Sequence, residues 1–203
     1  MKVLEVESRI TEVLEGTFGH PDRSEGLHAS QIWEDINRNI GRGPKSPMSL
    51  PDLEEFGTIG FIWERVLETT LANLVHTFQP GRFFRPAEQF VDGVYLTPDY
   101  LDLDFNGDNT WEEAGLEEWK VTWKSSRQGD DLEKNFWKWI VQQKAYCHAL
   151  DLRRSRLRAL FIVGNWRDSI VPKLRTWEFE FTELELRENW SMLTNHARRK
   201  GWL

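Results

Sequence analysis

Asp99, Glu118 and Lys120 bring two carboxylates and one ammonium within reach of each other if the segments that carry them pair as strands. Apolar residues alternate at Leu101, Leu103 and Phe105, and again at Trp119, Val121 and Trp123, which is the period of a strand. Between them Asn106-Gly107-Asp108 is a turn signal, because Asn and Gly tolerate positive φ. Side chains alternate faces along a strand, so Glu118 and Lys120 share one face while Trp119, Val121 and Trp123 take the other, apolar enough to be core. Asp99 then meets Glu118 and Lys120 at one end of the sheet. Carboxylate oxygens suit Mg²⁺ or Mn²⁺, hard cations that keep several waters and engage phosphate. Such a metal polarises a phosphoryl oxygen and acidifies a bound water, while Lys120 orients that water or neutralises charge developing in the transition state. The ordinary reading of the same residues is a turn aspartate and a solvated Glu–Lys pair, so the surrounding elements have to decide.

The chain of 203 residues, 39% hydrophobic and 29% charged, reads as one soluble globular domain spanning 1–203 and large enough to bury a core. Eleven Trp, several at helix or strand spacing, point to packing rather than ligand platforms. A net charge of −7 argues against blanket attraction to nucleic acid and leaves a local basic path open. Cys147 is the only cysteine, which excludes an intrachain disulfide and a four-cysteine zinc or iron–sulfur site. With no long apolar run and no signal-peptide pattern, a cytoplasmic location without a membrane is expected.

Residues 1–27 receive no assignment. Ser30 is the expected cap of a helix with Ile32, Trp33, Ile36 and Ile40 inward, and His28 before it reads as polar surface. Residues 41–51, with three Pro and two Gly, are a loop. Residues 52–78 read as one long helix, or two joined near Gly57, with Phe56, Ile59, Trp63, Val66 and Leu67 in its apolar stripe. Arg82 to Val91 is the expected first strand, and Asp92-Gly93 a turn into the strand that carries Pro98-Asp99. Asp102 and Asp104 fall on the face opposite Asp99 and are expected to face solvent, and Glu88 is an alternative acidic contributor. After a polar loop, Asp130 or Asp131 caps a helix to about Leu152, with Leu132, Phe136, Trp139, Ile140, Gln143, Cys147 and Leu150 inward. Gln142 and Tyr146 lie one turn apart on a neighbouring face. Arg153, Arg154, Arg156 and Arg158 form the densest basic cluster, able to hold phosphates or simply to complement a helix C-terminus. Ala159–Gly164 and Thr176–Phe181 are further strands, and Thr182 caps a closing helix to Arg199 with Leu184, Leu186, Trp190 and Leu193 inward.

Pro98-Asp99, 18 intervening residues and Glu118-Trp119-Lys120 are a literal match to PD…(D/E)xK. Gly60-Phe61-Ile62-Trp63-Glu64 stands on a helix before the sheet, and Gln142-Gln143-Lys144-Ala145-Tyr146 on the first helix after ExK is similar to a QxxxY motif. In that order, over about residues 28–195, the set resembles the PD-(D/E)xK nuclease superfamily, in its RecB-like, phage lambda exonuclease-like and Cas4-like branch. The lone cysteine excludes the cysteine-bound iron–sulfur cluster that some members carry.

The resemblance implies an α/β, restriction-endonuclease-like fold, a mixed central sheet flanked by helices. It implies that Asp99, Glu118 and the main-chain carbonyl of Trp119 ligate Mg²⁺ or Mn²⁺. Glu64 completes the site directly or through water, the alternatives being Glu68 or no helical ligand. Lys120 orients the attacking water, and Gln142 with Tyr146 braces the site and meets the substrate strand; Gln142, not Gln143, gives the i,i+4 pair. Arg153 and Arg154 are the candidate phosphate contacts. The implied function is a metal-dependent deoxyribonuclease, first an exonuclease on DNA ends in recombination, repair or phage DNA metabolism. DNA is the implied partner, with a homo-oligomer or a recombination protein beside it, in the host cytoplasm if the chain is viral. The alternatives are a structure-specific or restriction-like endonuclease, and a catalytically silent DNA-binding or assembly subunit.

Overall fold

The computed structural model describes residues 24–41, 83–103, 114–165, 167 and 171–203, together with Ile59, Gly60, Ile62, Val66 and Thr69. Helix α1 spans Ala29–Asn39 and strands β1 to β5 span Phe83–Phe84, Gln89–Val91, Val94–Leu96, Tyr100–Asp102 and Gly115–Thr122. A short helix α2 (Leu132–Asn135), α3 (Trp137–Ala149), β6 (Arg154–Phe161), β7 (Lys173–Glu180) and α4 (Glu183–Arg199) follow. Five strands form a sheet in the order β1-β4-β5-β6-β7, and β2 pairs with β3 as a separate hairpin. β5 runs antiparallel to β4 and parallel to β6, and β6 runs antiparallel to β7. The parallel pair needs a long crossover, which α2 and α3 supply. The expected mixed central sheet with flanking helices is therefore present.

The strand registers assign the two faces of the sheet. Leu101, Leu116, Glu118, Ser155, Leu157 and Ala159 share one face, and Tyr100, Asp102, Glu117, Arg156 and Glu178 share the other. On the first face Leu116 packs into a core with Ile32, Trp33 and Ile36 of α1, Val141, Ala145 and Cys147 of α3, and Leu186, Trp190 and Leu193 of α4. Burial of this size is the main source of the fold's stability, at about 25 cal/mol per Å² of apolar surface.

Local chemistry explains where the elements depart from expectation. The strand expected over 82–91 is two, β1 in the main sheet and β2 in the hairpin, because Pro86 between them has no N–H for a ladder. Pro98 likewise ends β3, so Asp99 sits in a connection and β4 starts at Tyr100. Asp92 and Gly93 both adopt positive φ (50° and 83°), the turn that Asp-Gly favours in a two-residue hairpin. The helix expected from Asp130 or Asp131 onward is interrupted. Ser126–Asp130 is a 3₁₀ helix, Asp131 caps α2 by accepting from the Lys134 amide, and Phe136 at φ −137° separates α2 from α3. β6 begins at Arg154, well before the expected Ala159, so Arg154, Arg156 and Arg158 are strand residues and not a helix-end cluster. The cap of α1 is His28 rather than Ser30, with the His28 amide donating to Gln31 Oε1 at 2.9 Å.

Several exposures differ too. Trp123 and Ile40, expected inward, are 46% and 50% exposed, since each lies just past the end of its element. Leu184 is 57% exposed because it sits two residues, about 200° of helix, from buried Leu186. Val66, expected on an apolar stripe, is also exposed. Asp102 is the largest reversal: it is wholly buried, in an ion pair with Arg156 at 2.9 Å. Glu64, Glu68, Asp104 and the turn at 106–108 lie outside the described residues. No helix among the described residues is long and apolar enough to cross a membrane.

Candidate active site

Three elements converge on one carboxylate. β5 carries Glu118 and Lys120 two residues apart, hence on the same face, and the face covered by α3. The connection before β4 carries Asp99, whose Oδ2 accepts the Trp119 amide at 3.0 Å and so is pinned to β5. α3 carries Gln142 and Tyr146 one turn apart.

Glu118 has no solvent exposure. Its Oε1 accepts from Lys120 Nζ at 2.5 Å and from Gln142 Nε2 at 2.6 Å. Gln142 Nε2 also donates to Tyr146 Oη at 3.1 Å, and Lys120 Nζ is 4.0 Å from Asp99 Oδ2. Glu118 Oε2 is buried with no hydrogen-bond partner. Burial pushes the Glu118 carboxyl well above its ordinary range, the Asp99 carboxylate pushes the same way, and Lys120 opposes both. The arrangement is thus an under-neutralised pair of carboxylates with one oxygen left open.

The pair fits a hard cation on its own chemistry, since an unpartnered carboxylate oxygen in a buried setting is costly until a proton or a cation meets it. Among the described residues no group of three or more His, Cys, Asp or Glu gathers around such an ion. Asp99 and Glu118 would offer such an ion two ligands, with any further ones left to main-chain oxygen, water or residues outside the described set.

Other candidates are placed elsewhere. Glu88 is held by the Ser24 amide (3.2 Å) and Thr97 Oγ1 (3.2 Å), with His28 Nδ1 at 3.8 Å, so its oxygens tie the hairpin to the start of α1. Arg153 is exposed and pairs with Glu183 at 3.5 Å. Arg154 starts β6, three residues from Leu157, the partner of Glu118, and five from Ala159, the partner of Lys120; at strand rise that is about 10 to 17 Å along the strand, and alternation puts it on the opposite face. The structure brings Asp99, Glu118, Lys120, Gln142 and Tyr146 together and leaves Arg153 and Arg154 at the far end of the sheet.

Sequence reasoning missed the ion network behind the site. On the opposite face Glu117, also without solvent exposure, accepts from Arg158 Nε, from Arg156 Nη1 at 3.3 Å and from the Trp119 indole at 3.2 Å. Arg156 continues to Asp102 and to Glu178. The alternation of Arg154, Arg156 and Arg158 with Ser155, Leu157 and Ala159 was the available signal.

No family model matches this chain, and no curated protein sequence matches it. Among solved structures it is similar to one described as SSO0001, at 11% identity and a TM-score of 0.49 over 94% of this chain and 88% of that one. It is also similar to a phage-related exonuclease from Haemophilus somnus 129PT, at 9% identity and a TM-score of 0.47 over 84% and 79% of the two chains. A third is an alkaline exonuclease from Laribacter hongkongensis, at 13% identity and a TM-score of 0.42 over 84% and 77%.

Proposed function

We propose that this chain is a metal-dependent deoxyribonuclease that hydrolyses phosphodiester bonds. One observation supports the reading above the rest. Glu118 is wholly buried with Oε1 held by Lys120 and Gln142, while Oε2, on the carboxylate that Asp99 faces across Lys120, is left open. Asp99, Glu118 and the Trp119 carbonyl would hold Mg²⁺ or Mn²⁺, with Glu64 completing the set from outside the described residues. When bound, the metal supplies a polarised phosphoryl oxygen and an acidified water.

The chain's own residues do the rest. The Trp119 amide fixes the Asp99 carboxylate in orientation. Gln142 fixes that of Glu118, and Tyr146 fixes Gln142. Lys120 keeps a single positive charge between two negative ones, where it holds the attacking water and meets negative charge as it develops. Action on DNA ends, as an exonuclease in recombination or repair, follows from the PD-(D/E)xK resemblance.

The test is Mg²⁺-dependent digestion of end-labelled linear duplex beside covalently closed circular and single-stranded DNA, with Lys120→Ala as control. Loss of the linear species alone, abolished in the variant, is the expected result. Cutting of the closed circle would make the enzyme an endonuclease. Undiminished cleavage by Lys120→Ala, or none by the wild type with either metal, would overturn the proposal.

A further inference from the structure

Just beyond the end of β5, a cavity of about 390 Å³ opens between α1, the Lys124 segment, α2 and the start of α3. Lys124, Lys134 and Lys138 line it, with Asn37, Trp137 and Trp139. In a chain of net charge −7 this is a concentrated positive site. Lys138 is matched by Glu34, so the charges of Lys124 and Lys134 remain over. Lys124 is held in place: its Nζ donates to the Asn135 carbonyl at 3.0 Å and sits 4.7 Å from the Phe136 ring, which stacks on Trp139. Partial burial and the neighbouring Lys138 depress its pKa, the mark of an ammonium short of counter-charge. Lys134 has no side-chain partner among the described residues.

Asn37 supplies an independent observation. It is only 6% exposed, lies on the cavity wall, and its amide has no hydrogen-bond partner among the described residues. A side chain this enclosed, on the cavity wall and without a partner for its amide among the described residues, leaves that amide to be met by whatever fills the cavity. The N-terminus of α3 opens on the same space without a side-chain cap and without an acidic residue in its first turn.

We infer that this cavity binds a phosphate of a nucleic-acid strand. This rests on the nuclease reading for the identity of the strand, though not for the phosphate chemistry. Lys124 lies four residues along the chain from Lys120, at most about 13 Å at strand rise, a span of a few nucleotides. A phosphate seated there fixes the register of the strand over Glu118, and so which bond is presented for cleavage.

The experiment uses the full chain in EDTA, so that binding is read without cleavage. Trp137 and Trp139 on the wall report occupancy through their fluorescence. Inorganic phosphate, a deoxynucleoside monophosphate and a short labelled single-stranded oligonucleotide are titrated into the wild type, Lys120→Ala, Asn37→Ala and the double variant Lys124→Gln/Lys134→Gln. Both lysines are exposed residues, and a thermal melt followed by circular dichroism checks that the double variant keeps the wild-type fold. It is expected to bind the oligonucleotide at least about tenfold more weakly, with a salt slope lower by about one, while Lys120→Ala keeps the fluorescence response to phosphate. Asn37→Ala is expected to lose part of that response. Unchanged oligonucleotide affinity and salt slope in the double variant would overturn the inference. So would a lysine-dependent response to free phosphate or mononucleotide with oligonucleotide binding untouched, which would mark a small-molecule site. Lysine-dependent oligonucleotide binding in a chain that cuts no DNA would sustain this inference and defeat the nuclease reading.

Discussion

Glu117 and Glu118 stand side by side on β5, both without solvent exposure, and point to opposite faces of the same sheet. Burial is the largest cause raising the carboxyl pKa of each. Behind the sheet, two arginines and an indole N–H use both oxygens of Glu117, and Arg156 hands the charge on to Asp102 and Glu178. In front, Glu118 meets one lysine and one amide through a single oxygen, with Asp99 adding repulsion instead of relief. The same residue type at the same depth is thus neutralised on one face and left in deficit on the other. A neutralised buried network holds strands in register, whereas a deficit is free energy that a ligand can recover.

Substitutions can break this comparison, and the largest effect expected is on activity. Asp99→Asn or Glu118→Gln should lower Mg²⁺-dependent cleavage by about 10³-fold or more while leaving the melting temperature unchanged or raised, because each removes a poorly compensated charge. A clear fall in melting temperature would mean that the front pair is structural. Next comes stability. Glu117→Ala or Arg156→Ala orphans charges in the buried network and should cost about 3–5 kcal/mol in denaturant unfolding, with cleavage per folded molecule little changed. Equal loss of activity from Glu117→Gln and Glu118→Gln would erase the distinction between the faces.

Smaller effects sharpen it. Gln142→Leu removes one of two donors to Glu118 Oε1 and should lower kcat about tenfold or more, with Tyr146→Phe milder because it touches Glu118 only through Gln142. The smallest belongs to Asp35, a carboxylate outside both faces, held by Lys200 at 2.9 Å and His196 at 2.7 Å. Hydrogen bonds from Lys200 and His196 pull its pKa from 3.8 to about 2. Its folded pKa lies below the unfolded one, so its stabilisation is present above about pH 4 and is lost as pH falls toward 2. Asp35→Asn should lower the melting temperature near neutrality, and the gap to wild type should close across that window.

The shared face of Glu118 and Lys120 was legible because strand alternation is a period-2 rule, and the proximity of Gln142 to Tyr146 because i,i+4 residues share a helix face. Thr182 as the cap of the last helix was legible too, with Glu185 closing a capping box. What escaped were features decided at a distance. Asp102 reads as solvent-facing until Arg156 arrives 54 residues later to pair with it. The arginines of β6 were hidden by their charge, which outweighed a correct alternation. Phe136, an apolar residue inside an apolar pattern, gave no sign of the break between α2 and α3, since its ring is drawn to Phe161 and Trp139. Asn37 carries no local signal at all.

The place of β5 between β4 and β6 has a consequence in time. The β4–β5 pairing closes within a short stretch of chain, but the parallel β5–β6 pairing joins Glu118 to Leu157 only after the whole crossover has formed. Contacts so far apart in sequence are slow to form. A partly synthesised chain ending before β6 therefore holds Asp99, Glu118 and Lys120 without the neighbour strand that buries them, so the proposed nuclease competence should arise late, in step with sheet completion. On refolding from denaturant, cleavage should return with the slowest phase of protection in β5 and not with the earlier collapse of the β2–β3 hairpin.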